Sequence, residues 1–333
     1  MTELLPVGGR AAWDRESLRE DDWLVRLPPV RPDADGPPRA YDGSRAYDRS
    51  DAYDRSDAGG RSDAGGRSRA YGPSGACGRD ADRQALAEAA AGVDRRLREG
   101  PGFAVVRGIG LEGRDDDDCV ELARWFGGLL GTLRPYDGPA DGLVTAGARA
   151  GRTAASPGRE RDDRALPPHM DRSPQREPPR VLGLLCVHPA ASGGESTLVS
   201  GAAVHDRLLA ERPTALLRQL YRPVHFGRGA DFDRYFPVFR RPTDEPGALE
   251  VRYNRHHIER GQREAGIPLS AAYLAALDAF DAVLADPRMV LRVPLRRGDF
   301  LLVCNKAVLH GRTAFTDPAE PDKHRCLVRI WAD

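Results

Sequence analysis

The chain has 333 residues, 50 Lys plus Arg against 50 Asp plus Glu, and a formal charge of zero. That length supplies one large domain or two smaller ones, and the balanced charge gives no overall pull toward nucleic acid or an anionic membrane. Five scattered Cys without C-x-x-C spacing argue against a disulfide framework or a zinc–thiolate site. No apolar stretch approaches a membrane span, and the N-terminus lacks the basic and apolar regions of a signal peptide, so a cytoplasmic protein is expected.

In chain order, residues 1–30 hold a short apolar element, DDWLVRLPPV, expected to pack on the main domain. Residues 31–80 repeat themselves as RAYDGSRAYDRSDAYDRSDAGGRSDAGG and contain almost no aliphatic side chains. Such a segment buries too little surface to offset its ordering entropy, and disorder is expected there. From 81 to 333 the composition is that of a folded domain. DRQALAEAAAGVDRRLREG predicts a helix ending at Gly100, PGFAVVRGIG a buried strand, and residues 115–130 a second helix. Residues 135–167 carry no periodicity and read as a flexible loop or lid.

Beyond Pro179 the pattern turns to strands: 180–188, 196–200, 222–226, 249–254, 290–294, 299–304 and 325–331, interrupted by helices near 201–219 and 270–285. The fold class expected is mostly β with helical insertions (α+β), a sandwich or jelly roll.

Two His-x-acid triplets occur, His169-Met170-Asp171 and His257-Ile258-Glu259, and chance alone supplies about one in a chain with 8 His and 50 acids. The triplet matters only through its surroundings. A site of two His and one carboxylate needs two ligands close together and a third from a distant strand, with positions left open. On an extended segment, residues i and i+2 point to the same side. Six candidate strands separate Asp171 from His310 but two separate Glu259 from it, which favours His169, Asp171 and His310. Arg325, opening the last strand, can grip a carboxylate through two parallel hydrogen bonds. Thr197, in GGESTLV, adds a hydroxyl. Together these would hold the distal carboxylate of a dicarboxylic keto acid whose other end chelates the metal. Arg252 and Arg255, in VRYNRHHIERG, are candidates for recognising an acidic or polar substrate.

The ordered motifs LPPHMDRS, PPRVLGLLCV, GGESTLVSG, NKAVLHGRTAF and RCLVRIW resemble the taurine dioxygenase (TauD/TfdA) and clavaminate synthase-like group of Fe(II)/2-oxoglutarate oxygenases. The resemblance covers roughly residues 81–333. It implies a double-stranded β-helix (jelly roll), Fe(II) as metal, and 2-oxoglutarate and O2 as co-substrates. His169, Asp171 and His310 are then the iron ligands, Thr197 and Arg325 the 2-oxoglutarate anchors, and Arg329 a contact to 2-oxoglutarate or substrate. The activity implied is hydroxylation of an unactivated C–H in a small carboxylated molecule, an amino acid or a carrier- or peptide-borne residue, in secondary metabolism. Desaturation or ring closure would use the same ligands. Asp171 argues against halogenation, which needs the carboxylate position vacated. The rival of another class is a non-enzymatic jelly-roll binding protein. Oligomeric state and substrate identity are not read from the sequence.

Overall fold

The computed structural model describes residues 4–28, 80–135, 143–145, 163–227, 234–243, 245 and 247–333. The Arg/Asp/Gly/Ser/Tyr repeat and most of the expected lid lie outside them. A one-turn helix α1 (Glu20–Trp23) runs straight into strand β1 (Leu24–Arg26). The Ala-rich stretch forms α2 (Asp80–Glu99), followed by β2 (Phe103–Arg107) and α3 (Asp116–Gly128). Asp115 caps α3 by accepting from the Asp118 N–H at 2.8 Å, which satisfies one of the donors that a helix start leaves open.

Two strands emerge from the stretch expected to be irregular, β3 (Leu143–Thr145) and β4 (Leu166–His169). They are followed by β5 (Val181–His188), β6 (Ser192–Gly193) and β7 (Ser196–Ser200). The single helix expected over 201–219 is two, α4 (Gly201–Glu211) and α5 (Thr214–Gln219). Pro213 separates them, because its ring and missing N–H cannot continue the first helix. Short strands β8 (Val224–Phe226), β9 (Arg234–Phe236), β10 (Phe239–Arg240) and β11 (Glu250–Val251) come next. Helices α6 (Arg255–Glu264) and α7 (Ala271–Ala285) precede β12 (Leu291–Val293), β13 (Phe300–Cys304), β14 (Val308–Arg312), β15 (Phe315–Thr316) and β16 (Cys326–Ala332).

The strands form two principal sheets. One has six strands in the order β1-β2-β13-β5-β16-β3, with β1 and β2 parallel and the other pairs antiparallel; the other has four antiparallel strands, β12-β7-β14-β4. Alternation along β16 shows how the layers stack. Val328, Ile330 and Ala332 face a cluster with α2 and α3, while Trp331 joins Phe103, Leu182, Leu198, Leu301 and Val308 between the sheets. On the far side of the four-stranded sheet, Val199 and Leu309 meet Leu208, Leu217, Leu277 and Phe280 of α4, α5 and α7. Each fully buried large apolar side chain contributes about 1.5–3 kcal/mol. The mixed sheets with flanking helices match the α+β expectation.

Candidate active site

Strand β4 is the edge of its sheet, which is where a Pro-Pro pair without ladder N–H groups is tolerated. Its last residue, His169, is the cross-strand partner of His310 in β14. Paired residues share a face, and the two imidazoles lie with ring centroids 4.5 Å apart. Met170 turns to the opposite face and is buried in the helical cluster, with its N–H bonded to the Tyr253 carbonyl at 2.8 Å. Asp171 therefore returns to the His side, and its Oδ1 lies 3.4 Å from Nε2 of His169 and 3.4 Å from Nε2 of His310. One ligand atom from each of the three residues lies within 4.8 Å of the others.

The donor set fits a cation. His169 Nδ1 is 3.0 Å from the Pro167 carbonyl. A carbonyl only accepts, so Nδ1 donates there and Nε2 is the nitrogen turned toward Asp171. Nε2 faces a carboxylate oxygen at 3.4 Å, and a cation between the two would be shared by both as ligands. Burial, and then the neighbouring His169, push the His310 imidazole below its usual pKa, toward the neutral form that ligates metals. Among the described residues its buried Nδ1 has no hydrogen-bond partner.

Asp171 is 4% exposed. Burial alone would raise its pKa, but Arg329 and the two imidazoles reverse this and hold the carboxyl well below the usual range. Its Oδ2 accepts from the Trp331 indole N–H at 2.9 Å and lies 3.5 Å from Arg329 Nη1. Its backbone is clamped by the fully buried Asn305 in the turn between β13 and β14. The Asp171 N–H donates to Asn305 Oδ1 at 2.9 Å, and Asn305 Nδ2 donates to the carbonyls of Asp171 and Pro179, each at 3.0 Å.

On the same face of β14, two residues beyond His310, Arg312 pairs with Ser196 of β7. Arg325 is 6% exposed, and its guanidinium lies over the Phe315 ring and donates one long bond, 3.5 Å, to the Gly194 carbonyl. Burial, then the positive Arg312 nearby, lowers its pKa to about 10. Gly194, at φ +71°, permits this approach, because a Cβ there would sit 3.1 Å from Arg325 Nε. These two buried guanidiniums make an electropositive end to the site.

Thr197 does not share that face, which corrects the expectation made for it. His310 pairs with Leu198 and Gly311 with Thr197, so Thr197 projects to the opposite side of the sheet from His310. The hydroxyl on the site's face is that of Ser196, 3% exposed. Arg252 and Arg255 are both engaged by the protein itself. The Arg252 guanidinium donates to the carbonyls of Ser173, Gln175 and Arg176 at 3.0, 2.7 and 3.3 Å and stacks on Phe236, fastening the loop after Asp171. Arg255 is ion-paired with Glu259, Asp278 and Asp281 at 2.6, 3.0 and 2.8 Å. The rival pair His257 and Glu259 lies on α6, where i and i+2 diverge. Asn305 and Trp331 were missed. A lone Asn in a turn carries no metal-site spacing, and a Trp in an apolar strand reads as core.

The model of the family described as Taurine catabolism dioxygenase TauD, TfdA family matches residues 68–331. FR-33289 synthase from Streptomyces rubellomurinus is 29% identical over 265 residues, spanning 76% of this chain and 76% of that protein. Uridine-5'-phosphate dioxygenase from Streptomyces sp. is 34% identical over 155 residues, 44% of this chain and 53% of that protein. The structure of asparagine oxygenase in complex with Fe(II), 2S,3S-3-hydroxyasparagine and succinate superposes with a TM-score of 0.57 at 18% identity, covering 76% of this chain and 81% of that one. The chain belongs to the TauD, TfdA family of dioxygenases and is a 2-oxoglutarate-dependent non-haem iron dioxygenase.

Proposed function

We propose that His169, Asp171 and His310 hold Fe(II) and that the enzyme hydroxylates an unactivated C–H of a small carboxylated substrate. The observation that carries this is the convergence of three donor atoms within 4.8 Å, with His169 Nε2 facing the Asp171 carboxylate at 3.4 Å. Two His and one carboxylate on one face leave positions for a chelating co-substrate and for O2. Bound iron supplies O2 activation coupled to decarboxylation of 2-oxoglutarate to succinate and carbon dioxide. The protein positions and excludes water. Arg325, with Ser196 in place of the expected Thr197, holds the distal carboxylate of 2-oxoglutarate. Arg329, beside Asp171 Oδ2 at 3.5 Å, offsets the negative charge of the ligand set. The face-to-face sheets support a double-stranded β-helix for the domain from residue 81 to 333, with residues 1–30 packed on it.

An amino acid, free or borne on a carrier protein or peptide, is the substrate class we favour, consistent with the resemblance in fold to asparagine oxygenase. The described cysteines are free thiols and no described helix is long and apolar enough to cross a membrane, which supports our assignment to the cytoplasm. The test is succinate formation from 2-oxoglutarate and the visible absorption of the anaerobic Fe(II)–2-oxoglutarate complex. Both should require added Fe(II) and vanish in His169→Ala. Iron-loaded protein that neither binds nor turns over 2-oxoglutarate would sink the reading. Gain of one oxygen in the product distinguishes hydroxylation from desaturation or ring closure, which lose two hydrogens.

A further inference from the structure

We propose that Trp331 is a positioning residue for the metal: its indole N–H holds Asp171 Oδ2, so that the carboxylate presents Oδ1 alone. The inference rests on the iron-site reading above. The two carboxylate oxygens have different surroundings. Oδ1 lies 3.4 Å from both imidazole Nε2 atoms, whereas Oδ2 lies 2.9 Å from Trp331 Nε1 and 3.5 Å from Arg329 Nη1. At 2.9 Å the indole contact has full hydrogen-bond geometry, while the Arg329 contact stands at the outer limit of one and acts mainly through charge.

An indole N–H donates and never accepts, and it carries no charge. It can therefore orient the carboxylate without neutralising it, so Oδ1 keeps its negative charge for the metal. Trp331 is itself fixed. It is 5% exposed, pairs with Leu182 in the central ladder, and has the guanidinium carbons of Arg172 and Arg329 at 4.4 and 5.0 Å from its ring centroid. Asp171 is held from the other end by Asn305, so backbone and carboxylate are both constrained. A carboxylate tied in this way binds through one oxygen. Released, it can swing to two-oxygen coordination and occupy a position that 2-oxoglutarate or O2 needs.

A buried indole normally finds some acceptor, so the test must separate positioning from simple satisfaction of the N–H. Trp331→Phe removes the donor and keeps an aromatic ring. Replacement with 3-benzothienylalanine removes only the donor and keeps the full shape. Binding of Mn(II) followed by electron paramagnetic resonance, and anaerobic binding of Fe(II), read the metal affinity directly. Both replacements should weaken metal binding by roughly 10- to 100-fold, as loss of a ligand's supporting hydrogen bond does. The benzothienyl protein should also shift the visible band of the Fe(II)–2-oxoglutarate complex while the metal-free protein still unfolds in one cooperative transition. Wild-type metal affinity and an unshifted band in the benzothienyl protein would overturn the proposal and leave the iron site standing. Wild-type protein that binds neither metal would overturn both.

Discussion

Arg325 and Ser196 are where single side chains decide co-substrate binding. A guanidinium offers a carboxylate two parallel hydrogen bonds, and an ammonium cannot reproduce that fork. Arg325→Lys should raise KM for 2-oxoglutarate by roughly 10- to 100-fold, the equivalent of one charged hydrogen bond at about 1.5–3 kcal/mol, with kcat little changed at saturation. The register separates Ser196 from Thr197 more finely. Ser196 pairs with Arg312 and Thr197 with Gly311, on opposite faces of β7. Ser196→Ala should raise the same KM by roughly 2- to 12-fold, one ordinary hydrogen bond at about 0.5–1.5 kcal/mol. Thr197→Val should leave it unchanged, and steady-state kinetics on the pair of variants would check this difference between the two faces.

At the scale of elements, the metal site depends on how β4 lies against β14. A Cβ on Gly311 would stand 2.4 Å from the Leu166 carbonyl oxygen and 2.7 Å from Thr197 Oγ1. Gly311→Ala must therefore push β4 outward and part His169 from His310. Metal binding should be lost or fall by more than the roughly 10- to 100-fold expected for a supporting contact, as equilibrium dialysis against Fe(II) under nitrogen would show. Neither strand was apparent beforehand. LPPH has two prolines and NKAVLHGR mixes polar and apolar residues, so the strand character of each comes from its partner and not from periodicity. The apolar runs of β5, β7, β13 and β16 were apparent because both faces of each are buried. Helix α6 was missed for the opposite reason. Charged residues fill half of it, and Ile258, Gly261 and Gln262 are its buried residues. The His and Asp of the site could be found because residue type and spacing carry metal chemistry. The hydroxyl at Thr197 was misplaced by one residue, which in a strand is a change of face.

Across the whole molecule, the N-terminal segment links layers that are otherwise far apart in sequence. Val7 and Gly8 donate backbone N–H groups to the Asp206 carboxylate on α4 at 2.7 and 2.8 Å, and Trp13 enters the core between the sheets with its indole bonded to the Pro101 carbonyl at 2.7 Å. The anchor at Asp206 continues inward to His205, whose Nδ1 lies 2.9 Å from Asp206 and whose Nε2 lies 2.9 Å from the Tyr221 hydroxyl. Burial lowers the His205 pKa below 6.5, and the Asp206 contact offsets this only in part. The unfolded chain thus takes up a proton on this imidazole more readily than the folded one, so stability rises with pH in this range. The contribution is complete above the unfolded value of 6.5 and is lost as pH falls below it toward the lowered folded value. His205→Gln, which cannot titrate, should melt at a lower temperature than wild type near about pH 8, because the buried contacts to Asp206 and Tyr221 are weakened. Its melting temperature should then fall less steeply between about pH 6.5 and about pH 5, so the two curves converge on acidification. Parallel curves across that window would show that His205 takes up no proton on unfolding there.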